Sequence, residues 1–128
     1  MIYIWLNLGP IIIAMTAGLA IGYGWLRVSK LRFSNRLLLV AIPAKFWLTS
    51  ILAGALILAP PQADPWIMAM GSAFIIWIGF VLPVLVVTLS VRSERFAAIA
   101  SASGYWLVAM MVQAGIMQTI GLTAPPVA

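Results

Sequence analysis

The sequence contains no cysteine and no histidine. Without cysteine, the chain can form no disulfide, carry no thiol chemistry and build no thiolate metal site. Without histidine, it lacks the commonest ligand for metals, haem and chlorophyll-type pigments, and the side chain that most often carries protons near neutral pH. We therefore expect neither a cofactor nor a metal site.

Acidic side chains are almost as scarce, since the 128 residues include two, Asp64 and Glu94. Both lie in short polar segments between apolar stretches, so neither is placed to carry a proton across a membrane. This absence argues against the small multidrug-resistance exporters, which depend on a buried glutamate in their first helix. No nucleophile, general base or metal ligand is placed for catalysis either, so we do not expect an enzyme.

Charged residues of any kind are missing from most of the chain: residues 1–26, 46–63, 65–91 and 96–128 contain none. A helix crosses a hydrocarbon core of ~30 Å with about 20 apolar residues. The sequence therefore predicts an all-α, polytopic membrane protein with four transmembrane helices in an antiparallel bundle. We place the helices at about residues 6–26, 37–59, 66–91 and 96–121 of one integral membrane domain, 1–128, and we expect no cleavable signal peptide at its start.

The basic residues are concentrated in two of the three predicted connections. The first and third connections carry Arg27, Lys30, Arg32, Arg36, Arg92 and Arg95. The second connection and both ends of the chain carry none. By the positive-inside rule, these six residues form a cytoplasmic basic face, and both termini lie on the periplasmic side of a bacterial inner membrane.

Two prolines fall inside predicted helices. Pro43 is tolerated if the second helix begins near Leu37, because the missing N–H matters least in the opening turns; alternatively, residues 31–42 lie along the interface and the helix begins near Pro43. Pro83 predicts a kink near Gly79–Pro83, either a static bend or a hinge. We expect the tail, Leu122–Ala128, to be poorly ordered unless a partner holds it.

Small residues predict where helices approach one another closely. Gly18 and Gly22 form a GxxxG pattern that Ala14 extends, and the first half of the fourth helix is rich in Ala, Ser and Gly. In lipid such faces favour packing, either inside one chain or against another subunit. The candidate helix-packing residues are Ala14, Gly18, Gly22, Gly79, Pro83 and Gly104.

Lys45 and three tryptophans are the candidate ligand or lipid site. Trp47, Trp77 and Trp106 each lie ~15 Å from the start of their predicted helices at 1.5 Å per residue. They could line a pocket for a flat or cationic ligand, or they could fill gaps left by small residues. Lys45 could bind an anion or lipid headgroup, or its long side chain could snorkel to the cytoplasmic headgroups.

Two stretches carry a family resemblance. They are Asn7 with Ala17–Leu26, and Ile76–Pro83 with Gly104–Leu107. Together they resemble the domain-of-unknown-function 1761 family of small bacterial membrane proteins, whose first helix typically ends in Gly and a Trp-Tyr pair; here Tyr23, Gly24 and Trp25 stand at that position. The resemblance implies a four-helix architecture and brings no activity with it.

Two functions are compatible with these patterns. The first is a small accessory or structural subunit that packs, through its small-residue helix faces, against a larger membrane protein complex or against copies of itself. The alternative is a small transporter or a membrane protein that binds a lipid or hydrophobic ligand at the mid-membrane tryptophans. Both place the chain in a lipid bilayer, and neither involves nucleic acid.

Overall fold

The computed structural model describes residues 2–126 and contains no strand within that range. Its elements, in chain order, are α1 (Ile2–Leu6), α2 (Leu8–Val28), α3 (Asn35–Leu58), α4 (Pro65–Ile76), a π-helical turn (Trp77–Val81), α5 (Leu82–Val91) and α6 (Phe96–Ile120). Four helical segments of the described chain are long and apolar enough to cross a membrane: α2, α3, Pro65–Val91 and α6. The prediction of an all-helical, multi-pass membrane protein is confirmed. Met1, Val127 and Ala128 of the predicted domain lie outside the described residues.

Side-chain caps define the beginnings of two helices. The Ser34 hydroxyl accepts a hydrogen bond from the Leu37 N–H at the start of α3, and the Asp64 carboxylate accepts one from the Trp66 N–H at the start of α4. Each cap satisfies a backbone donor that has no partner inside the helix. Pro65 occupies the first position of α4, where its missing N–H costs nothing.

The two basic connections begin with the same type of helix ending. Lys30 and Ser93 adopt positive φ angles of 58° and 60°. The residue after each one bonds back into its helix, Leu31 N–H to the Leu26 carbonyl and Glu94 N–H to the Leu89 carbonyl. This six-to-one pattern is a Schellman motif, which stops a helix abruptly and reverses the chain.

Helix α3 runs without interruption through Pro43. It begins at Asn35, two residues before the predicted start, and Pro43 is its ninth residue. The structure therefore has the longer of the two predicted versions of this helix, and residues 31–42 do not form a separate interfacial segment.

The third span contains a π-helical turn just before Pro83. Pro83 has no N–H to offer the Gly79 carbonyl, and its ring would crowd that carbonyl in a regular helix. The chain widens over Trp77–Val81, and the Leu82 N–H bonds to the Trp77 carbonyl, five residues back. The disturbance predicted near Gly79–Pro83 thus takes the form of an extra residue in one turn.

Helix α6 lies at the centre of the bundle. It contacts α2, α3, α4, the π turn and α5, and its contact with α2 is the most extensive. The buried core is made of Ile11, Ala14, Leu52, Ala53, Ala73, Met110, Ala114 and Met117. Small and flexible side chains in this core let the helices approach closely, which is how packing stabilises helices in lipid.

Contacts between helix ends define the two ends of the bundle. At the end that we call the terminal end, the Asn7 amide donates to the Thr123 carbonyl (2.8 Å) and accepts from the Thr123 N–H (2.6 Å). The chain after α6 is thus tied to the start of α2, which the sequence did not predict. At the other end, the basic end, the Trp25 indole N–H donates to the Ser101 hydroxyl (2.9 Å), joining the end of α2 to the start of α6.

Candidate ligand-binding cavity

The two glycines of the GxxxG pattern each make room for one large side chain of α6. A Cβ atom at Gly18 would overlap the Gln113 amide nitrogen, and one at Gly22 would lie 2.7 Å from the Tyr105 hydroxyl oxygen. Real Cβ atoms essentially never approach another side chain as closely as either of these two would. The pattern therefore packs inside this chain, and it determines where Gln113 and Tyr105 lie.

Gln113 forms a short polar chain with α3. Its amide N–H donates to the Thr49 hydroxyl (3.1 Å), and that hydroxyl donates to the Lys45 carbonyl (2.6 Å). Gln113 and Thr49 are buried. These bonds fix α3 against α6 one helical turn after Lys45.

Lys45 is buried in the interior of the bundle. Its side chain is 5% exposed, and its Nζ atom has no hydrogen-bond partner among residues 2–126. Nζ lies 4.1 Å from the centroid of the Trp106 ring and 4.6 Å from that of the Tyr105 ring. The ammonium does not reach the exposed surface, so the snorkelling interpretation is wrong.

The aromatic wall beside Lys45 is held by Trp25. The Trp25 and Tyr105 rings are stacked, with centroids 4.8 Å apart and an interplanar angle of 10°. Tyr105 also contacts Trp106 at 5.1 Å between centroids. Because Trp25 is fixed by its bond to Ser101, its ring supports Tyr105, and the rings of Tyr105 and Trp106 face the ammonium.

A cavity of about 290 Å³ lies against this wall. Its residues come from α2, the first connection, α3 and α6: Leu19, Gly22, Tyr23, Trp25, Leu26, Phe33, Leu37, Leu38, Val40, Ala41, Ala44, Lys45, Tyr105 and Trp106. Gly22 and Lys45 at its inner end are buried, whereas Tyr23, Phe33 and Val40 at its rim are exposed. The cavity is therefore open at a rim that α2, the first connection and α3 share.

The three tryptophans of the predicted cluster lie in different surroundings in the structure. Trp106 lines the cavity with Lys45, but Trp47 is 53% exposed on the outside of the bundle. Trp77 donates its indole N–H to the Ser103 carbonyl (2.9 Å), across the interface with α6. A common pocket of Trp47, Trp77 and Trp106 is thus wrong, because equal depth along three helices does not make their side chains face one another.

The other candidate helix-packing residues also divide into two sets. Ala14 is buried in the core beside Ile11. Gly79, Pro83 and Gly104 are exposed, and a Cβ at either glycine would meet no atom of residues 2–126 within 4 Å. These two glycines do not pack against the other helices of the described chain, so a packing role for them would need another subunit.

The six residues of the predicted basic face are all exposed: Arg27, Lys30, Arg32, Arg36, Arg92 and Arg95. Arg27 donates to the Tyr23 hydroxyl (3.2 Å) and lies 5.9 Å from the Tyr23 ring centroid. Since Tyr23 is on the cavity rim, positive charge lies beside the opening as well as inside it.

Sequence reasoning missed Tyr105 and Trp25 as site residues. In the sequence, Trp25 and Tyr105 stand out only as parts of the two stretches that carry the family resemblance. One signal in the sequence points to Tyr105: a glycine such as Gly22 on a close-packed helix face leaves room for a ring of the neighbouring helix.

Comparison of this chain with protein-family models, with curated proteins and with solved structures finds no match.

Proposed function

We propose that this protein binds an amphiphilic, lipid-like ligand in the cavity between α2, α3 and α6. The observation that carries the proposal is an open, mainly apolar cavity that has the buried Lys45 among its lining residues. Ligand sites are typically concave and mostly apolar, with few polar groups that fix orientation. A ligand that enters from the bilayer passes the exposed Tyr23, Phe33 and Val40 before it reaches Lys45.

The proposed setting is the inner membrane of a bacterium, with both termini periplasmic and the basic connections cytoplasmic. The separation of the exposed basic residues from the terminal end supports this orientation. The order of contacts between α2 and α6, with Asn7 beside Thr123 and Trp25 beside Ser101, supports an antiparallel bundle. Membership of the domain-of-unknown-function 1761 family and the absence of enzymatic activity belong to the same proposal.

A filled cavity tests the proposal. Ala41 is a half-buried residue of the cavity, and Ala41→Phe places a ring there. Ala20 is exposed and outside the cavity, so Ala20→Phe is the matched control. After mild extraction, native mass spectrometry should find a retained lipid-like molecule on the wild type and on Ala20→Phe, and much less on Ala41→Phe. Equal retention by all three proteins contradicts the proposal.

A second candidate function is an accessory subunit of a larger complex or homo-oligomer. It is supported by α5, where none of the residues is buried against the rest of residues 2–126, and by the open surface at Gly79 and Gly104. Small residues on an outer face allow another helix to approach closely. Gly104→Leu should then reduce a larger assembly in native mass spectra, whereas extraction as a monomer under all conditions contradicts this candidate.

A further inference from the structure

The groups around the Lys45 ammonium in the described chain do not fully balance its positive charge. An ammonium has three donors and no acceptor, and Nζ bonds to no acceptor among residues 2–126. The faces of the Trp106 and Tyr105 rings attract it, but only weakly. Removal of an ammonium from water costs more free energy than this attraction returns, so the rings by themselves do not balance the charge.

Among the residues that the structure describes, no carboxylate is placed to balance this charge. Asp64 caps α4, which begins at the terminal end, and Glu94 lies in the third connection. Lys45 is ten residues after the start of α3, about 15 Å along the helix axis. A negative charge on the ligand is therefore the missing partner.

The same geometry excludes a cationic ligand. The Trp106 and Tyr105 faces, which would attract a cation, already hold the Lys45 ammonium. A second positive charge in this apolar cavity would be repelled. The cavity therefore suits an anion better than the cationic ligand that the tryptophans allowed.

The walls and size of the cavity specify the remainder of the ligand. Apart from Lys45, the cavity is lined mainly by aliphatic and aromatic side chains, which suit a hydrocarbon chain. A volume of about 290 Å³ is at the small end of ligand sites, so a headgroup and part of one chain fit inside. A longer chain would continue past Val40 into the bilayer.

We propose that the ligand is an anionic amphiphile whose carboxylate or phosphate oxygens accept hydrogen bonds from Lys45 Nζ while its hydrocarbon chain lies along the apolar wall. This inference rests on the proposed function and names its ligand class. Charge-assisted bonds of this kind are about twice as strong as neutral ones.

A pair of probes that differ in charge tests the inference. Oleate and oleyl alcohol share one chain, and binding of each to the purified protein in a neutral detergent is measured by native mass spectrometry. We expect the wild type to bind one oleate at least about tenfold more tightly than oleyl alcohol, the effect of one charge-assisted hydrogen bond. Lys45→Met should abolish this preference, and Lys30→Met, which removes an exposed charge, should keep it.

A stability measurement separates loss of the ligand from loss of the fold. Lys45→Met removes an unpaired buried charge, so it should unfold at the same or a higher temperature than the wild type without ligand. Oleate should raise the unfolding temperature of the wild type and of Lys30→Met, and should not raise that of Lys45→Met.

The outcomes distinguish the inference from the proposed function. Equal affinity of the wild type for oleate and oleyl alcohol overturns the anionic ligand and leaves an amphiphile site in place. An equal loss in Lys30→Met and Lys45→Met also overturns it, because recognition would then lie on the basic surface. If the wild type binds neither probe and Ala41→Phe behaves identically, the proposed function itself fails.

Two further probes identify the source of the anion. Phosphatidylglycerol offers the phosphate of a two-chain membrane lipid, and phosphatidylcholine offers the same phosphate with its charge neutralised by choline. Tighter binding of phosphatidylglycerol than of oleate indicates a membrane lipid, and the reverse indicates a free acid; both support the inference. Binding of phosphatidylcholine that is as tight as that of phosphatidylglycerol, or tighter, contradicts it.

Discussion

The terminal end and the basic end of this bundle are built from the same helices but packed differently. Toward the terminal end, Ile11, Leu52, Met110 and Met117 are fully buried against one another. Toward the basic end, the space between α2 and α3 contains rings, an ammonium and a cavity. The half with the more complete packing holds the helices together, and the half with the cavity carries the candidate chemistry.

Helix α2 shows how one sequence pattern serves both halves. Gly18 receives Gln113, whose amide bonds to Thr49 and closes the interface with α3. One turn later, Gly22 receives Tyr105, whose ring forms part of the cavity wall. The boundary between the half with the more complete packing and the half with the cavity therefore lies between these two glycines.

The largest effect on the free energy of unfolding should come from a side chain added at Gly18, in the closely packed half of the bundle. Gly18→Leu would displace Gln113 and force α2 away from α6, and overpacking of this kind costs up to about 3 kcal/mol. Gly104→Leu, on the open outer surface, should change the free energy of unfolding by less than about 1 kcal/mol. Reversible unfolding in mixed micelles measures both. A similar loss in the two variants would mean that α2 and α6 are not in close contact at Gly18.

A core truncation should have the next largest effect. In a bilayer the unfolded helix keeps Leu52 in an apolar environment, so Leu52→Ala loses packing rather than hydrophobic transfer. We expect a loss of about 2 kcal/mol, the low end for such substitutions. Val40 is 67% exposed at the cavity rim, and Val40→Ala should be nearly neutral in the same assay. A larger loss for Val40→Ala would reverse the proposed difference between the halves.

The smallest effect should come from the bond that ties the chain after α6 to α2. Asn7→Ala removes both hydrogen bonds to Thr123. Thr123 is exposed, so its freed groups can reach other partners, and we expect a loss of about 1 kcal/mol. Hydrogen exchange at the Thr123 amide should accelerate while exchange in the middle of α6 is unchanged. An unchanged Thr123 rate would mean that this bond does not hold the segment.

The sequence predicts the helices well because their signals are local. Long charge-free stretches mark the spans, Pro60–Pro65 ends one and begins the next, and the basic residues mark two connections. The structure has helices at Asn35–Leu58 and Phe96–Ile120, where 37–59 and 96–121 were expected.

The direction in which each side chain points could not be predicted in the same way. The faces of these helices that meet lipid and those that meet other helices are both apolar, so periodicity does not distinguish them. Trp47 and Trp106 therefore looked equivalent, although one is exposed and the other lies against Lys45. The burial of Lys45 depends on Gly22, since the ring of Tyr105 fits beside α2 where that glycine lies. That is a contact between residues 83 positions apart in the chain.

A structure determined by electron microscopy or crystallography in bilayers that contain phosphatidylglycerol tests the central claim most directly. The account predicts density in the cavity, with an oxygen about 2.7–2.9 Å from Lys45 Nζ and a chain that passes between α2 and α3 at Val40. A cavity filled by the chain's own side chains, with the Lys45 ammonium extended to the surface among the arginines, would contradict it.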